Sequence, residues 1–144
     1  MRRLRIFSDG CSKGNPGPAG IGYLIFDESG TLISSRGRYV GIRTNNEAEY
    51  LAAIEALREA LALGASEVEL FSDSELLVKQ IKGEYSVKSS RLSPLYAELM
   101  SLARNLEKFV ITHVERGENH EADKIARLAA RSSSEIQGGD PLQY

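Results

Sequence analysis

The tripeptides Phe7-Ser8-Asp9 and Phe71-Ser72-Asp73 are identical, and each ends a short apolar run on a carboxylate. In an extended strand Phe7 and Asp9 share one face, as do Phe71 and Asp73, because side chains alternate with a period of two. If the two strands run side by side and parallel, the carboxylates meet. Carboxylates a few ångströms apart repel, so either one keeps its proton or a cation sits between them. A hard cation with a preference for oxygen ligands, Mg²⁺, answers that requirement. Each acid also has a plain local explanation, Asp9 opening an Asx turn and Asp73 capping the helix that follows it. Capping alone, however, does not call for the same tripeptide at the same lip of a sheet.

Further acids stand at helix starts. Thr44-Asn45-Asn46-Glu47 has the form of a capping box, in which Glu47 reaches back to the cap amide, so a helix begins here and Gly64 is its natural stop. Tyr50, Ile54, Leu57 and Leu61 make its apolar stripe. A second row, Glu49, Ala52, Ala53, Ala56 and Ala60, is small enough to let the helix lie close to a sheet, with Glu49 at its head. The box accounts for Glu47. Glu49 has only the helix dipole to explain it locally, and a glutamate directed at a sheet is seldom buried unless paired. Asp123 falls in the first turn of a last helix capped by Asn119, where an acid is dipole-favoured in any case.

The elements that must deliver these acids follow in order. Leu4-Arg5-Ile6-Phe7 reads as a strand that breaks at Gly10-Cys11-Ser12-Lys13-Gly14-Asn15-Pro16-Gly17-Pro18, leaving Asp9 at its C-terminal lip. Residues 19–26 form a strand, Asp27-Glu28-Ser29-Gly30 a turn, and residues 31–40 the hairpin partner. Val68-Glu69-Leu70-Phe71 is a strand, followed by Asp73 and a helix from Ser74 through Ile81. Between Lys79 and Arg91 four basic residues, Lys79, Lys82, Lys88 and Arg91, face one acid, Glu84, either as a solvated surface or as a contact for phosphates. Ser93-Pro94 supplies N-cap and N1 of the next helix, with Leu95, Leu99, Leu102 and Leu106 inward. A strand over 109–114, the charged loop Glu115-Arg116-Gly117-Glu118 and the helix carrying Ile125, Ala126 and Ala129 inward complete the chain. This order gives an α/β fold: a mixed sheet, three antiparallel strands then two parallel, flanked by helices, with ligands expected at the strands' C-terminal lips.

At 144 residues the chain is read as one domain over 1–131 followed by a polar, loosely held tail over 132–144. Its single cysteine, Cys11, excludes an internal disulfide and fits a reducing cytoplasm. No segment approaches the ~20 apolar residues of a membrane span, and a monomer is expected. A formal charge of −2 means that any polyanion must be held by a local patch.

Taken together, Phe7-Ser8-Asp9-Gly10 with Gly14-Asn15-Pro16-Gly17, Thr44-Asn45-Asn46-Glu47-Ala48-Glu49-Tyr50, Ser72-Asp73-Ser74 and Asn119-His120-Glu121-Ala122-Asp123 resemble type 1 ribonuclease H, in the family's order. The resemblance implies a five-stranded ribonuclease-H-like sheet and four acidic catalytic metal ligands, Asp9, Glu49, Asp73 and Asp123. It implies two Mg²⁺ ions, with Mn²⁺ as a possible substitute, and hydrolysis of the RNA strand of an RNA/DNA hybrid to 5′-phosphate and 3′-hydroxyl ends. It also implies substrate contacts at Gly10, Cys11, Asn15, Thr44, Asn45 and Asn46. Three departures point to a minimal branch. The basic protrusion of many bacterial members is replaced by residues 84–93, which leaves Lys88 and Arg91 its task; Glu75 stands where an amide is frequent; and the loop before the last helix lacks a histidine, offering Arg116 to hold phosphate, with His120 expected at the surface. A hybrid-binding module of the same fold that does not cut, and a nuclease acting on double-stranded RNA or branched DNA, are the competing readings.

Overall fold

The computed structural model describes residues 2–138. Five strands, β1 (Arg3–Ser12), β2 (Gly17–Phe26), β3 (Leu32–Arg43), β4 (Glu67–Ser72) and β5 (Lys108–His113), form one sheet in the order β3-β2-β1-β4-β5. β1 is antiparallel to β2 and parallel to β4, and β4 is parallel to β5. Phe7 pairs with Phe71 in register, and their rings stack with centroids 4.7 Å apart. The two identical tripeptides therefore do lie side by side.

Four helices, α1 (Asn45–Ala62), α2 (Glu75–Ile81), α3 (Ser93–Ala103) and α4 (His120–Gly138), cover the sheet, with a 3₁₀ turn at Arg116–Asn119 leading into α4. Leu4, Ile6, Tyr23 and Ile25 of β1 and β2 share one core with Tyr50, Ile54 and Leu57 of α1 and Leu99 of α3. Alternation sends Gly20 and Gly22 to the other face, where α4 lies on them. The alanine row of α1 works as its composition suggests: Ala52, Ala53, Ala56 and Ala60 are fully buried.

Several boundaries differ from the sequence reading. β1 does not stop at Asp9 but runs to Ser12, because β2 still offers it a ladder partner after β4 has ended. α3 starts at Ser93, with Leu92 at the cap position and no side-chain cap bond, so Ser93 is inside the helix. α4 continues past Arg131 to Gly138, since serines are only mildly unfavourable in a helix and no glycine or proline intervenes. The remainder of the expected tail, 139–144, lies outside the described residues. Asn119 does not cap α4; its side chain is spent elsewhere.

A β-carbon on Gly22 would lie 2.6 Å from the Ala122 carbonyl oxygen and 2.7 Å from the Ala126 nitrogen, both backbone atoms of α4. Gly22→Ala should accordingly destabilise the fold by about 1–3 kcal/mol, as overpacking does. Urea denaturation measures it, and an unchanged midpoint would mean that α4 can lift from the sheet at no cost.

Candidate metal centre

One carboxylate oxygen each from Asp9, Glu49 and Asp73 lie within 4.8 Å of one another. Each comes from a different element, and the local chemistry of each segment leaves the acid available. Asp9 is paired opposite Gly22 inside β1, so it opens no turn. Asp73 follows the last residue of β4 and does not cap α2, because Ser74 takes that position and its hydroxyl accepts from the Leu77 N–H at 3.1 Å. Glu49 reaches across from α1, and its Oε1 accepts from the Gly10 N–H at 3.0 Å. The approach is possible only because residue 10 is glycine: a β-carbon there would overlap the backbone of Ala48.

Asp123, in the first turn of α4, completes the group. Asp9 lies within hydrogen-bonding reach of both Asp123 and Glu49, and Asp123 also accepts from Arg127 at 2.9 Å, one turn along. Glu47 stands apart. It closes the capping box in both directions, Thr44 N–H to Glu47 Oε1 at 2.8 Å and Glu47 N–H to Thr44 Oγ1 at 3.1 Å. Its carboxylate also pairs with Arg43 at 3.8 Å and Arg91 at 3.5 Å.

Crowding shows in the acidities. Burial, then the charge of Glu49, pushes Asp9 up to about 11. Burial, then the charge of Asp73, pushes Glu49 up to about 8, against the Gly10 N–H that favours its anion. Oxygen-only donors that resist ionising together are what a hard divalent cation relieves, so these residues fit such an ion.

The other residues singled out in the sequence lie along the loop and helix start beside the acids. Asn15 Oδ1 accepts from the Asn45 N–H at 3.0 Å and Asn45 Oδ1 from the Ser12 N–H at 2.9 Å, fastening the loop between β1 and β2 to the start of α1. Gly10, Cys11, Thr44 and Asn46 belong to the same two segments. The Cys11 thiol is pushed up by burial, then by Asp123. Lys88 is exposed, and Arg91 is exposed but tied to Glu47. Lys79 is taken by Glu75 at 2.8 Å, which removes it from the free basic run. Arg116 is exposed in the 3₁₀ turn and His120 is exposed at the start of α4. Sequence reading missed Arg127, although its spacing of four from Asp123 on a helix was a usable signal. It also missed the buried placement of Asn119, for which the sequence carried none.

The sign of the acidity shifts fixes a pH dependence for the cation-free protein. Asp9 and Glu49 hold protons in the folded state that they lose in the unfolded chain above their ordinary values of 3.8 and 4.5. Stability is therefore full below about pH 4 as far as these groups are concerned, and falls as pH rises toward about 8 and beyond. Thermal melts in chelator between pH 5 and 9 should show a decline that Asp9→Asn flattens; a midpoint independent of pH in both proteins would contradict it.

The sequence matches the reverse transcriptase-like family over residues 7–129. It is 36% identical to a ribonuclease HI of Halobacterium salinarum over 127 residues, covering 88% of this chain and 64% of that protein. It is 33% identical to a ribonuclease H of Symbiobacterium thermophilum, covering 94% of this chain and 99% of the relative. Among solved structures it is similar to LC11-RNase H1 in complex with RNA/DNA hybrid, with a TM-score of 0.85, 37% identity, and coverage of 90% of this chain and 98% of that one. The chain spans 64% of the halobacterial protein and 38% of its mycobacterial relatives, so the first of these similarities concern part of longer proteins.

Proposed function

The chain belongs to the ribonuclease H family, and we propose that it is an endoribonuclease hydrolysing the RNA strand of RNA/DNA hybrids to 5′-phosphate and 3′-hydroxyl ends. The observation that carries this reading is the meeting of Asp9, Glu49 and Asp73 within 4.8 Å, with Asp123 within hydrogen-bonding reach of Asp9, at the C-terminal end of β4. Asp9, Glu49, Asp73 and Asp123 would hold two Mg²⁺ ions, or Mn²⁺ in their place. Such ions supply an activated water and charge stabilisation at the leaving oxygen.

This chain's own residues do the rest. The Gly10 N–H keeps Glu49 turned toward Asp9, and Arg127 keeps Asp123 oriented. Backbone at Gly10 and Cys11 would face the ribose, whose 2′-hydroxyl distinguishes RNA from DNA. Asn15, Thr44, Asn45 and Asn46 would line the groove, with the Asn15–Asn45 and Asn45–Ser12 bonds holding the loop against the start of α1. Lys88, Arg91 and Arg116 would hold backbone phosphates, contacts that position a duplex without reading its sequence. No helix of the described residues is long and apolar enough to cross a membrane; a monomeric cytoplasmic enzyme belongs to the same proposal. A pure binder would gain nothing from acids concentrated beside a phosphate, which favours cleavage over the non-cutting alternative.

End-labelled RNA/DNA hybrid, double-stranded RNA and double-stranded DNA, each with and without Mg²⁺, test the proposal. Cleavage of the hybrid alone, with Mg²⁺ alone, is expected. Asp9→Asn, Glu49→Gln and Asp73→Asn should each lower the rate by at least about a hundredfold, the scale of losing a few kcal/mol of charge stabilisation. Glu47→Gln should retain turnover, since glutamine also completes a capping box. Equal cutting of double-stranded RNA would favour the broader nuclease, and tight binding without cutting the non-cleaving module.

Arg116 and His120 separate in cleavage kinetics. Arginine's planar fork grips a phosphate through two bonds at once, which a histidine ring cannot do. Arg116→Ala should weaken binding or turnover, and His120→Ala should be nearly silent. A crippled His120→Ala beside a fully active Arg116→Ala would reverse the assignment.

A further inference from the structure

The two peptide groups flanking the Asp9 Cα are held in an unusual way. In a parallel ladder the carbonyl before and the N–H after every second residue bond to the neighbouring strand. For Asp9 these are the Ser8 carbonyl and the Gly10 N–H, and on that side the neighbour is β4, whose pairing with β1 ends at Phe7 opposite Phe71. Two side chains take the strand's place. Glu49 accepts from the Gly10 N–H at 3.0 Å, and Asn119 Nδ2 donates to the Ser8 carbonyl at 2.8 Å.

Asn119 is 1% exposed, and 111 positions separate it from Ser8. Its amide cannot be turned the other way, because oxygen would then face oxygen. Its Oδ1, like the buried Ser8 Oγ, has no partner among the described residues. Leaving a buried polar atom unpaired is costly, and an apolar side chain of similar size would avoid that cost. The single bond to Ser8 is what the residue provides. Asn119 is also the last residue of the 3₁₀ turn, four positions before Asp123, so the same bond fixes where α4 begins relative to β1.

We infer that Asn119 is a positioning residue of the metal centre, substituting for a strand partner so that Asp9 and Asp123 converge where β4 no longer supports β1. This rests on the proposed function for its kinetic consequence, but not for its effect on cation binding. Removing groups that orient metal ligands commonly costs 10–100-fold in metal affinity or activity.

Asn119→Leu keeps the side-chain volume and loses the donor without adding a charge; Asn119→Ala loses both. Mg²⁺ alone is titrated into the full chain and each variant by calorimetry, with thermal melts and hybrid-cleavage kinetics alongside. Both variants should melt cooperatively, bind Mg²⁺ about 10–100-fold more weakly, and lose kcat while KM for the hybrid stays within about twofold. Wild-type Mg²⁺ affinity in both variants would overturn the inference, whatever happens to the melting point. Loss of the cooperative melt in both would overturn it too, by making Asn119 a determinant of the fold. A wild-type chain that binds Mg²⁺ but leaves hybrids intact would sink the proposed function, while the calorimetric comparison would still decide the role of Asn119.

Discussion

Like charges brought together against their repulsion are the constraint around which this domain is built. Three carboxylates from β1, α1 and the end of β4 meet, and a fourth reaches in from α4. Nothing in the acids themselves favours that arrangement. The work is done by surfaces with almost no side chain: Gly10 under the Ala48 backbone, and Gly20 and Gly22 under α4. These contacts bring both helices so near the sheet that Glu49, in the second turn of α1, and Asp123, in the first turn of α4, reach Asp9. The apolar core shared by β1, β2, α1 and α3 supplies the stability that offsets the crowding.

How the acids are held follows from where β4 ends. A parallel strand lasting two residues longer would have satisfied the backbone around Asp9, and would have filled the space the carboxylates occupy. By ending, it opens the site and leaves two backbone groups of β1 to be met by Glu49 and Asn119. Glu49 thus combines two tasks, closing the ladder and presenting a carboxylate. Glu47, only two positions away, is turned to the opposite purpose of capping α1 and gathering Arg43 and Arg91.

The parallel pairing of β1 with β4 was legible in the repeated tripeptide, and the separation of Glu49 from Glu47 in the capping box, because both are local patterns with a fixed period. The length of β1 was not. Gly10 to Pro18 carries turn composition, yet β2 supplies partners as far as Ser12, and a ladder partner outweighs local preference. The contact of Asp123 with Asp9 was legible only through the family resemblance, since it depends on how closely α4 lies on two glycines of another element. Asn119 looked like an ordinary cap because its sequence neighbourhood gives no sign of a carbonyl 111 positions away. The reach of α4 to Gly138 was hidden by a serine run that suits a tail as well as a helix.

In the cation-free protein, protons hold the centre together until a divalent cation displaces them. Calorimetric titration of Mg²⁺ near pH 7, repeated in buffers of different ionisation enthalpy, counts the protons released on binding. With Asp9 and Glu49 both pushed up by burial and by the charges of their neighbours, protons should leave as the cation enters. Mg²⁺ binding with no proton release would contradict it, since the carboxylates would then already be ionised side by side and their repulsion would not be what the cation relieves.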